Sequence, residues 1–367
     1  MSDIKLMNTR QYDLKTWIKQ YQLSPLPGIG IRINGVILND PSSALKASIS
    51  SLTVHLTAGL ESSACTLVLE ELEGIPDATG PLPGSFIQVH IEYPKPISLF
   101  EGYISAVTLS MEAGSPPQTT LDCLDLKGLM MHNRFSGRGN QINCLAAVES
   151  ILDQYGKFSA KRDIRIPSLN MPLMEQEMES DYDFVCRVAN SLDLEFFILQ
   201  GIVCLRKPAA VTTPVVVLNN ALVILSFSKE VCLSGQYGEV RVVSPDTEHK
   251  QSSVTSFSDA AKIGGSQTAA DIFARLGVEA VHTSIEPWIE TKPQAAERAA
   301  AIARRQSMKF VTGKCHSIGM PVLSPGRFIE FSGISAGLDS VYYITAVHHM
   351  FNQNGFTTSF EFAANSI

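Results

Sequence analysis

Two stretches of this chain repeat each other, and the repeat limits the possible folds more than any other feature of the sequence. The stretches run from Pro83 to Leu124 and from Pro325 to Ala363, and they share three blocks in the same order. The paired blocks are Pro-Gly-x-Phe-Ile at 83–87 and 325–329, Tyr-Ile-(Ser/Thr)-Ala-Val at 103–107 and 343–347, and Thr-Thr at 119–120 and 357–358. The spacing between paired blocks changes only across loops, where length changes cost little. Blocks in a fixed order with variable loops indicate a duplicated structural unit.

The residues around both copies follow the pattern of short antiparallel strands. Ser48–Thr57 and Ile87–Ile91 alternate between apolar and polar residues, as half-buried strands do. Asn34-Gly35 lies between two short apolar runs and predicts a two-residue hairpin. Six or more short strands separated by turn residues predict a small antiparallel barrel or sandwich.

Between the copies the pattern becomes helical. A helix is predicted from an N-cap at Asn143 through Tyr155, with Gly156 ending it. Ser180 and Asp183 form a capping-box pattern in front of an apolar stripe with the helical period. Two apolar runs around Gln200-Gly201 follow, so this part of the chain predicts a small α+β unit.

Together these patterns predict a β-dominated α+β fold. It has two similar antiparallel β-barrel domains with an intervening small α+β domain and a helix-bearing insertion. The insertion contains an Ala-rich helix that starts at Lys292-Pro293. The predicted division is an N-terminal arm at 1–25, a first β-barrel domain at 26–132, the small α+β domain at 133–207, a second and discontinuous β-barrel domain at 208–243 and 310–367, and the insertion at 244–309.

Composition excludes several classes of protein. The chain has 367 residues, of which 45% are hydrophobic and 18% charged, so it can bury a large core and is not expected to be disordered. Its net charge of −7 argues against a general nucleic-acid binder. The seven cysteines are scattered, form no CxxC pair and are expected to be reduced, buried thiols. Because it contains no signal peptide and no membrane-length apolar run, a soluble protein is expected.

Catalytic motifs are missing from the sequence. It contains no GxSxG, HExxH or Walker A motif, and Gly137-Arg138-Gly139-Asn140 lacks the lysine that phosphate binding needs. His348 and His349 are adjacent, and on a strand they point to opposite faces, where they cannot easily bind one metal ion. The sequence therefore predicts no catalytic, cofactor-binding or metal-ligating residue, and no cofactor.

Three further sets of side chains have both a functional and a structural interpretation. The acidic set suits glycosidase chemistry or a helix N-terminus. The basic set suits DNA in a lumen, or a solvated or inter-subunit face. The methionines suit a redox device or adaptable packing. The structural interpretation is favoured for each set. The sets are Glu175, Glu177, Glu179, Asp181 and Asp183; Arg298, Arg304, Arg305 and Lys309; and Met171, Met174 and Met178.

Two stretches resemble a known family. The first runs from Glu179 to Phe197 (ESDYDF…LEFF), and the second is the closing PG…YITAVHH…GFTT segment from Pro325 to Thr358. Both resemble the central hub proteins of contractile phage tails. That family includes the late control D proteins of P2-like phages, the Mu-type and T-even-type hubs, and the hub part of type VI valine-glycine repeat protein G.

The resemblance implies a structural role and a set of partners. Hubs of this family carry two similar β-barrels per chain and form homotrimers, so three chains give six near-equivalent barrels. Such a ring matches a six-fold tail tube on one side and a three-fold spike on the other. The expected partners are a tail tube or tube-initiator protein, a separate spike protein, other baseplate proteins and a tape measure protein, with no membrane and no sequence-specific nucleic acid. The expected location is the baseplate of a virion or injection particle assembled in the host bacterial cytoplasm.

The resemblance does not explain the N-terminal arm, and it leaves two other functions open. The arm, with a short helix predicted at Asp13–Gln22, is expected to contact a neighbouring hub chain or another baseplate protein. One alternative function is a peptidoglycan-degrading tail enzyme that uses the acidic set. The other is a carbohydrate-binding module, whose exposed aromatic platforms would have to include Trp17 or Trp288.

Overall fold

The computed structural model is dominated by β-strands and confirms the predicted fold class. It describes residues 11–23, 27–41, 45–73, 81–93, 95–135, 144–166, 176–208, 212–246, 251–257, 261–287, 289 and 291–367. Within these residues thirteen strands join into one sheet, and the other strands form three small sheets.

The strands and helices are numbered in chain order. The strands are β1 Gly28–Ile33, β2 Val36–Ile37, β3 Lys46–Thr57, β4 Ala64–Glu73, β5 Phe86–Tyr93, β6 Lys95–Ser110, β7 Gln118–Leu124, β8 Arg134–Phe135, β9 Lys161–Ile164, β10 Glu179–Ser180, β11 Glu195–Leu199, β12 Ile202–Arg206, β13 Pro214–Leu218, β14 Ile224–Val231, β15 Glu239–Asp246, β16 Gln251–Phe257, β17 Val281–Ile285, β18 Val311–Ile318, β19 Phe328–Phe331, β20 Ser340–Asn352 and β21 Gly355–Ala364. The helices are α1 Leu14–Leu23, α2 Leu126–Met130, α3 Cys144–Leu152, α4 Asp181–Leu192, α5 Ala269–Leu276 and α6 Lys292–Ser307.

The repeat in the sequence is a repeat in the structure. The first β unit has the strand order β3-β4-β7-β6-β5-β1, and the second has β14-β18-β21-β20-β19-β13. Strands that match in sequence therefore occupy matching places in the sheet. The sixth strands differ in direction, since β1 runs antiparallel to β5 whereas β13 runs parallel to β19.

The two units also match in their irregularities. The β6–β7 ladder shifts register between Ile104 and Ala106, and the β20–β21 ladder shifts between Ile344 and Ala346. A second shared shift lies at the start of β3 and of β14. Because a β-bulge changes the local twist of a strand, the shared bulges bend the two units at corresponding positions.

One block of the sequence repeat was aligned wrongly by one residue. Thr119 pairs with Leu109 and Thr358 pairs with His349, so Thr119 corresponds to Thr358 and not to Thr357. Thr119 and Thr358 are both buried. A shift of one residue moves a side chain to the other face of its strand, and burial fixes the correct alignment.

A single hydrophobic core runs through both β units, and two smaller cores lie beside it. One smaller core belongs to the α+β unit of α2, α3, α4 and the β11–β12 hairpin, and the other lies between α6 and the sheet β16-β15-β17. The hairpin joins two cores, because Phe197 and Cys204 enter the large core whereas Phe196 and Leu205 enter the core of the α+β unit. Burial on both faces explains why these two strands are continuous apolar runs.

The helices confirm most of the local predictions. Ser180 and Asp183 form the predicted capping box of α4, and α6 begins at an N-cap on Thr291 with Pro293 in its first turn. In the hairpin of β1 and β2, Asn34 and Gly35 both have positive φ, as a two-residue turn requires. The N-cap predicted at Asn143 lies outside the described residues. The helix after it ends at Leu152 and gives way to a 3-10 turn over Asp153–Ser159.

The strand predicted at 238–243 exists, but its assignment to the second barrel was wrong. Strand β15 pairs with β16 and β17 in a separate sheet that α6 covers. Strands β16 and β17 lie in the segment predicted as the helix-bearing insertion, where no strand was predicted because polar residues hide the alternation. The inserted segment therefore begins near Gly238.

The part of the N-terminal arm that the structure describes packs against its own chain. Tyr12 N donates a hydrogen bond to Val215 O at 2.7 Å, and Leu14 and Trp17 are buried in the large core. Residues 11–23 therefore pack on the second β unit of their own chain.

Two expectations from composition can be compared with the structure. All seven cysteines are free, and six of them are buried, as predicted; Cys232 is half-buried. Among the described residues, no helix is both long and apolar enough to span a membrane.

Candidate functional site

The two β units are joined edge to edge within the chain. Residues Ala346–Phe351 of β20 pair antiparallel with Leu52–Thr57 of β3, and the ladder continues with a hydrogen bond from Ala58 N to Thr345 O at 2.9 Å. The far half of β20 thus extends past its own unit and becomes a strand partner of the other. We call this pairing the internal junction.

Two adjacent histidines lie at the internal junction on opposite faces of β20. His348 stacks on His55 of β3, with ring centroids 4.2 Å apart and planes within 5° of parallel. His349 is buried, and its Nδ1 lies 3.0 Å from Thr358 Oγ1. Burial lowers the pKa of His348, and it lowers the pKa of His349 to about 3. Both rings are therefore neutral packing groups at neutral pH, and they lie on opposite faces of the strand.

Among the residues that the structure describes, the strand of the first unit that corresponds to β20, strand β6, has no such partner. By the repeat, Val107, Leu109 and Met111 at the far end of β6 correspond to Val347, His349 and Phe351. Leu109 and Met111 are 73% and 80% exposed, whereas His349 is 1% exposed. Two large apolar side chains are thus exposed at positions that the internal junction covers in the other unit.

The strand of the second unit that corresponds to β3 is open as well. Among the described residues, β14 ends the path of the large sheet and pairs only with β18. Its inward side chains Phe227 and Lys229 contact the core, where Phe227 lies against Phe331 and Phe362. Val231 is 44% exposed and Leu225 is 53% exposed. In the described part of the chain, strand β6 therefore lacks a partner equivalent to β3, and β14 lacks a partner equivalent to β20. These two open edges are the candidate functional site.

The α+β unit fixes the turn next to the internal junction. The Lys127 ammonium group is buried and donates to Gly59 O at 2.9 Å and to Glu61 O, and Tyr182 donates to Leu60 O. Asp125 accepts from Ser63 N at 2.9 Å. Burial lowers the pKa of Lys127 and raises that of Asp125, and each charge opposes the shift of the other.

The α+β unit contacts the second β unit in a similar way. Arg206 is buried and donates to Gly326 O at 2.8 Å, and Tyr343 donates to Glu195. Burial raises the pKa of Glu195 to about 7, against the opposing effects of Tyr343 and Arg206. These contacts position the turn at the start of β19 and the base of β20.

The acidic set has structural roles where the structure describes it. Glu179 pairs with Arg187 at 2.5 Å, and Asp183 caps α4. Asp181 is buried and accepts hydrogen bonds from Tyr155 and Gln176 at 2.6 and 3.0 Å. Glu177 is exposed, and Glu175 lies outside the described residues.

The basic residues of α6 lie at a contact between elements of the same chain. Arg304 pairs with Asp193 at 2.7 Å, and Arg305 lies 3.8 Å from the same carboxylate. Arg298 pairs with Glu286 at 2.8 Å and donates to Asn190 O. The three arginines therefore make ion pairs within the chain while remaining partly exposed, and Lys309 lies exposed on the surface.

The remaining candidates from the sequence are the metal ligands, the methionines, the tryptophans and the glycine-rich loop. No cluster of three or more potential metal ligands occurs in the described ranges. Met178 is exposed and Trp17 is buried, so Trp17 offers no platform for a sugar. Gly137-Arg138-Gly139-Asn140, Met171, Met174 and Trp288 lie outside the described residues.

Sequence reasoning missed the two open edges and the buried Lys127. The repeat contained a signal for the edges, because Leu109 and Met111 continue the strand pattern of β6 beyond the last matched block. Nothing local distinguishes Lys127 from a surface lysine, since its burial depends on carbonyl groups more than sixty residues away.

Similar solved structures come from phage tails and from type VI secretion. A tail protein of Neisseria meningitidis has a TM-score of 0.67 at 13% identity, with 92% of this chain and 96% of that chain covered. The 43 kDa tail protein of prophage MuSo2 from Shewanella oneidensis has a TM-score of 0.64 at 12% identity, covering 91% and 97%. An E. coli protein described as a type VI secretion component, with similarity to the T4 bacteriophage tail proteins gp27 and gp5, has a TM-score of 0.60 at 10% identity, covering 92% and 76%. At these identities the comparison establishes the fold alone, and that fold agrees with the resemblance seen in the sequence.

Two sequence comparisons complete the picture. Proteins with curated descriptions include no significant match to this sequence. A family model described as the Alg8 N-terminal domain matches residues 75–353, a span that includes most of both repeated stretches. The match covers more than half of the chain, so the protein belongs to the Alg8 N-terminal domain family.

Proposed function

We propose that this protein is a structural hub of the baseplate of a contractile tail or a related injection particle. The observation that carries the proposal is the duplicated β unit, with matching strand order, matching bulges and one open edge per copy. Similar solved structures from phage tails and type VI secretion support the same role.

In this proposal three chains form a ring. Three copies of a two-unit chain give six near-equivalent units, which adapt a six-fold tail tube to a three-fold spike. The partners are the tail tube or a tube-initiator protein and a spike protein, with other baseplate proteins and a tape measure protein as further neighbours. The ring belongs to the baseplate of a virion or injection particle and is assembled in the bacterial cytoplasm.

The proposed domain division follows the sequence with two changes. The two β-barrel domains remain the repeated parts, and the small α+β domain separates them in the chain. The insertion begins near Gly238, because β15 pairs with the insertion's other strands. The arm belongs to the second barrel rather than to a neighbouring chain.

We assign no catalytic, cofactor-binding or metal-ligating residue, and no role at a membrane or on a specific nucleic-acid sequence. The described carboxylates of the acidic set, apart from Glu177, are occupied by a helix cap, an ion pair and buried hydrogen bonds. The alternative, a peptidoglycan hydrolase, predicts clearing on a peptidoglycan gel. The hub proposal predicts no clearing by the purified protein beside a lysozyme control.

The assembly itself is tested by mass and shape. Light scattering of the purified full chain is expected to give three times the monomer mass of 39.9 kDa. Averaged end-on images should show a ring of six lobes. A chain that remains monomeric at high concentration would contradict the proposal.

A further inference from the structure

We propose that the two open edges pair with each other between neighbouring copies of the chain. Strand β6 of one copy joins β14 of the next as an antiparallel pair that reproduces the internal junction. This inference rests on the proposed ring and specifies the contact that closes it. The partner is a second copy of this chain, and the template for the contact is already present inside each copy.

The register of the proposed pair follows from the repeat. Each residue of β20 corresponds to the residue of β6 numbered 240 lower, as 343 corresponds to 103. Each residue of β3 corresponds to the residue of β14 numbered 175 higher, as 52 corresponds to 227. Applying both shifts to the internal junction gives the intermolecular pairs. They are Val107 with Val231, Leu109 with Lys229, Ser110 with Ser228, and Met111 with Phe227.

The side chains at these positions fit an interface. Val107, Leu109 and Met111 lie on the face of β6 that corresponds to the core face of β20, so in the pair they would cover Phe227 and Val231. Leu109 would lie along the aliphatic stem of Lys229, whose ammonium group is held by Gly337 O at 2.9 Å. Covering these side chains removes large apolar groups from water, which is the main favourable term in most protein association.

The two edges are complementary rather than identical, and this decides the symmetry. Each unit presents a β20-like edge on one side and a β3-like edge on the other. A head-to-tail contact of this kind builds rings or filaments, whereas a two-fold axis through the contact itself would need β6 to pair with β6. An open strand with exposed apolar residues is also a hazard for aggregation, and pairing with a second copy removes it.

The test is disulfide cross-linking at one pair of positions. Along an antiparallel ladder, hydrogen-bonded residue pairs alternate with non-hydrogen-bonded pairs, whose side chains are closer together. Because Ala58 and Thr345 form a hydrogen-bonded pair, Thr53 and Met350, five positions along the ladder, form a non-hydrogen-bonded pair. Ser110 and Ser228 occupy the corresponding positions, where Cβ atoms are close enough for a disulfide. Two differently tagged chains, Ser110→Cys and Ser228→Cys, each also carrying Cys232→Ser, are co-expressed, purified through both tags and mildly oxidised.

The expected result is a covalent dimer that contains both tags and disappears on reduction. Each variant expressed alone should give no covalent dimer, because like edges do not meet. A register control combines Thr108→Cys with Ser228→Cys, which lie diagonally and should cross-link at least tenfold less. The double variant Thr53→Cys/Met350→Cys is the positive control and should form its disulfide within one chain.

A second variant tests the same contact without cysteine chemistry. Leu109→Glu/Met111→Glu places charges on exposed positions, so the monomer is expected to fold normally while the oligomer dissociates. Leu276→Glu, at another exposed apolar position, is the matched control and should leave the mass unchanged.

The outcomes separate this inference from the proposed function. A trimer in which Ser110→Cys and Ser228→Cys do not cross-link overturns the β6–β14 contact and leaves the hub proposal standing. A covalent dimer of Ser110→Cys alone also overturns it, because it indicates a two-fold contact. A chain that light scattering finds monomeric before oxidation overturns both.

Discussion

At the scale of single residues, the repeated Pro-Gly turn is open around its glycine in the first β unit and closely packed in the second. Gly84 and Gly326 both have positive φ, and their N–H groups donate to Ile104 O and Ile344 O at 2.8 and 2.9 Å. An added Cβ at Gly84 would meet nothing within 4 Å. At Gly326 it would lie 2.9 Å from Arg206 Nη2 and 3.0 Å from Phe197 Cζ.

These two glycines provide a matched pair of variants. We expect Gly84→Ala to lower the free energy of unfolding by about 1 kcal/mol, the cost of the left-handed backbone alone. Gly326→Ala should cost about 1–3 kcal/mol more, because Arg206 and Phe197 must also move. Urea denaturation of both variants measures the difference. Equal losses would mean that the α+β unit does not pack on this turn as described.

At the scale of elements, the contact between α4 and α6 links the α+β unit to the inserted segment. Asp193 ends α4 with φ of 53° and is buried, and two arginines of α6 lie within ion-pair distance. The sequence predicted both helices and the capping box of α4, but it could not show that the helices meet. Asn190 and Arg305 are more than a hundred residues apart, and only the fold places them together.

Asp193→Asn tests this contact, because asparagine tolerates the left-handed conformation but has no charge. We expect a loss of about 1–3 kcal/mol in the free energy of unfolding, since Arg304 and Arg305 lose their carboxylate partner. Arg304→Ala should cost little further in the Asp193→Asn background, and a double-mutant cycle measures this coupling.

The control is the exposed cross-strand pair Lys314–Glu361, whose nitrogen and oxygen atoms are 3.7 Å apart. Glu361→Gln should change stability by less than about 0.5 kcal/mol, as is usual for exposed pairs. If Asp193→Asn is as mild as Glu361→Gln, the ion pairs of α6 are not what attaches it to α4.

At the scale of the whole molecule, the internal junction makes stability depend on pH. The pKa of His349 is about 3 in the folded chain and near its ordinary value when unfolded. The unfolded chain therefore binds more protons below about pH 6.5, so the contribution of His349 to stability is lost as pH falls. Glu195 acts in the opposite direction, because its raised pKa lets the folded chain take up a proton first.

Because these two groups oppose each other, the comparison is made with a variant. His349→Asn keeps a polar atom near Thr358 Oγ1 and removes the titration. It should be less stable than the unmodified chain at pH 7, and the gap should shrink by about 2 kcal/mol at pH 5. Urea midpoints at the two pH values measure the gap. A gap that stays constant would mean that His349 is not buried and neutral in solution.

The same variant approach applies to Glu195. Glu195→Gln removes a carboxyl group that must ionise in a buried site as pH rises. As pH rises from 5 to 8, the free energy of unfolding of the variant should therefore increase by about 2–3 kcal/mol relative to that of the unmodified chain. A constant difference would show that Arg206 and Tyr343 fully compensate for the burial of this carboxylate.

The sequence by itself determined the repeated unit, most of its strands, the helix caps and the class of fold. These features depend on local periodicity, on turn residues with special φ, and on similarity between two stretches of one chain. The turns and helix starts depend on residues close together in sequence, which is why the predictions at Asn34-Gly35, Ser180 and Lys292-Pro293 were correct.

Only the tertiary structure decided how the units are joined. It showed that β15 belongs to the insertion, that residues 11–23 pack on their own chain, and that β20 pairs with β3. Edge pairing is made by backbone groups that every residue carries, so the sequence of a strand does not name its partner. For the same physical reason the exposed positions Leu109 and Met111 became informative only beside their buried counterparts in the second unit.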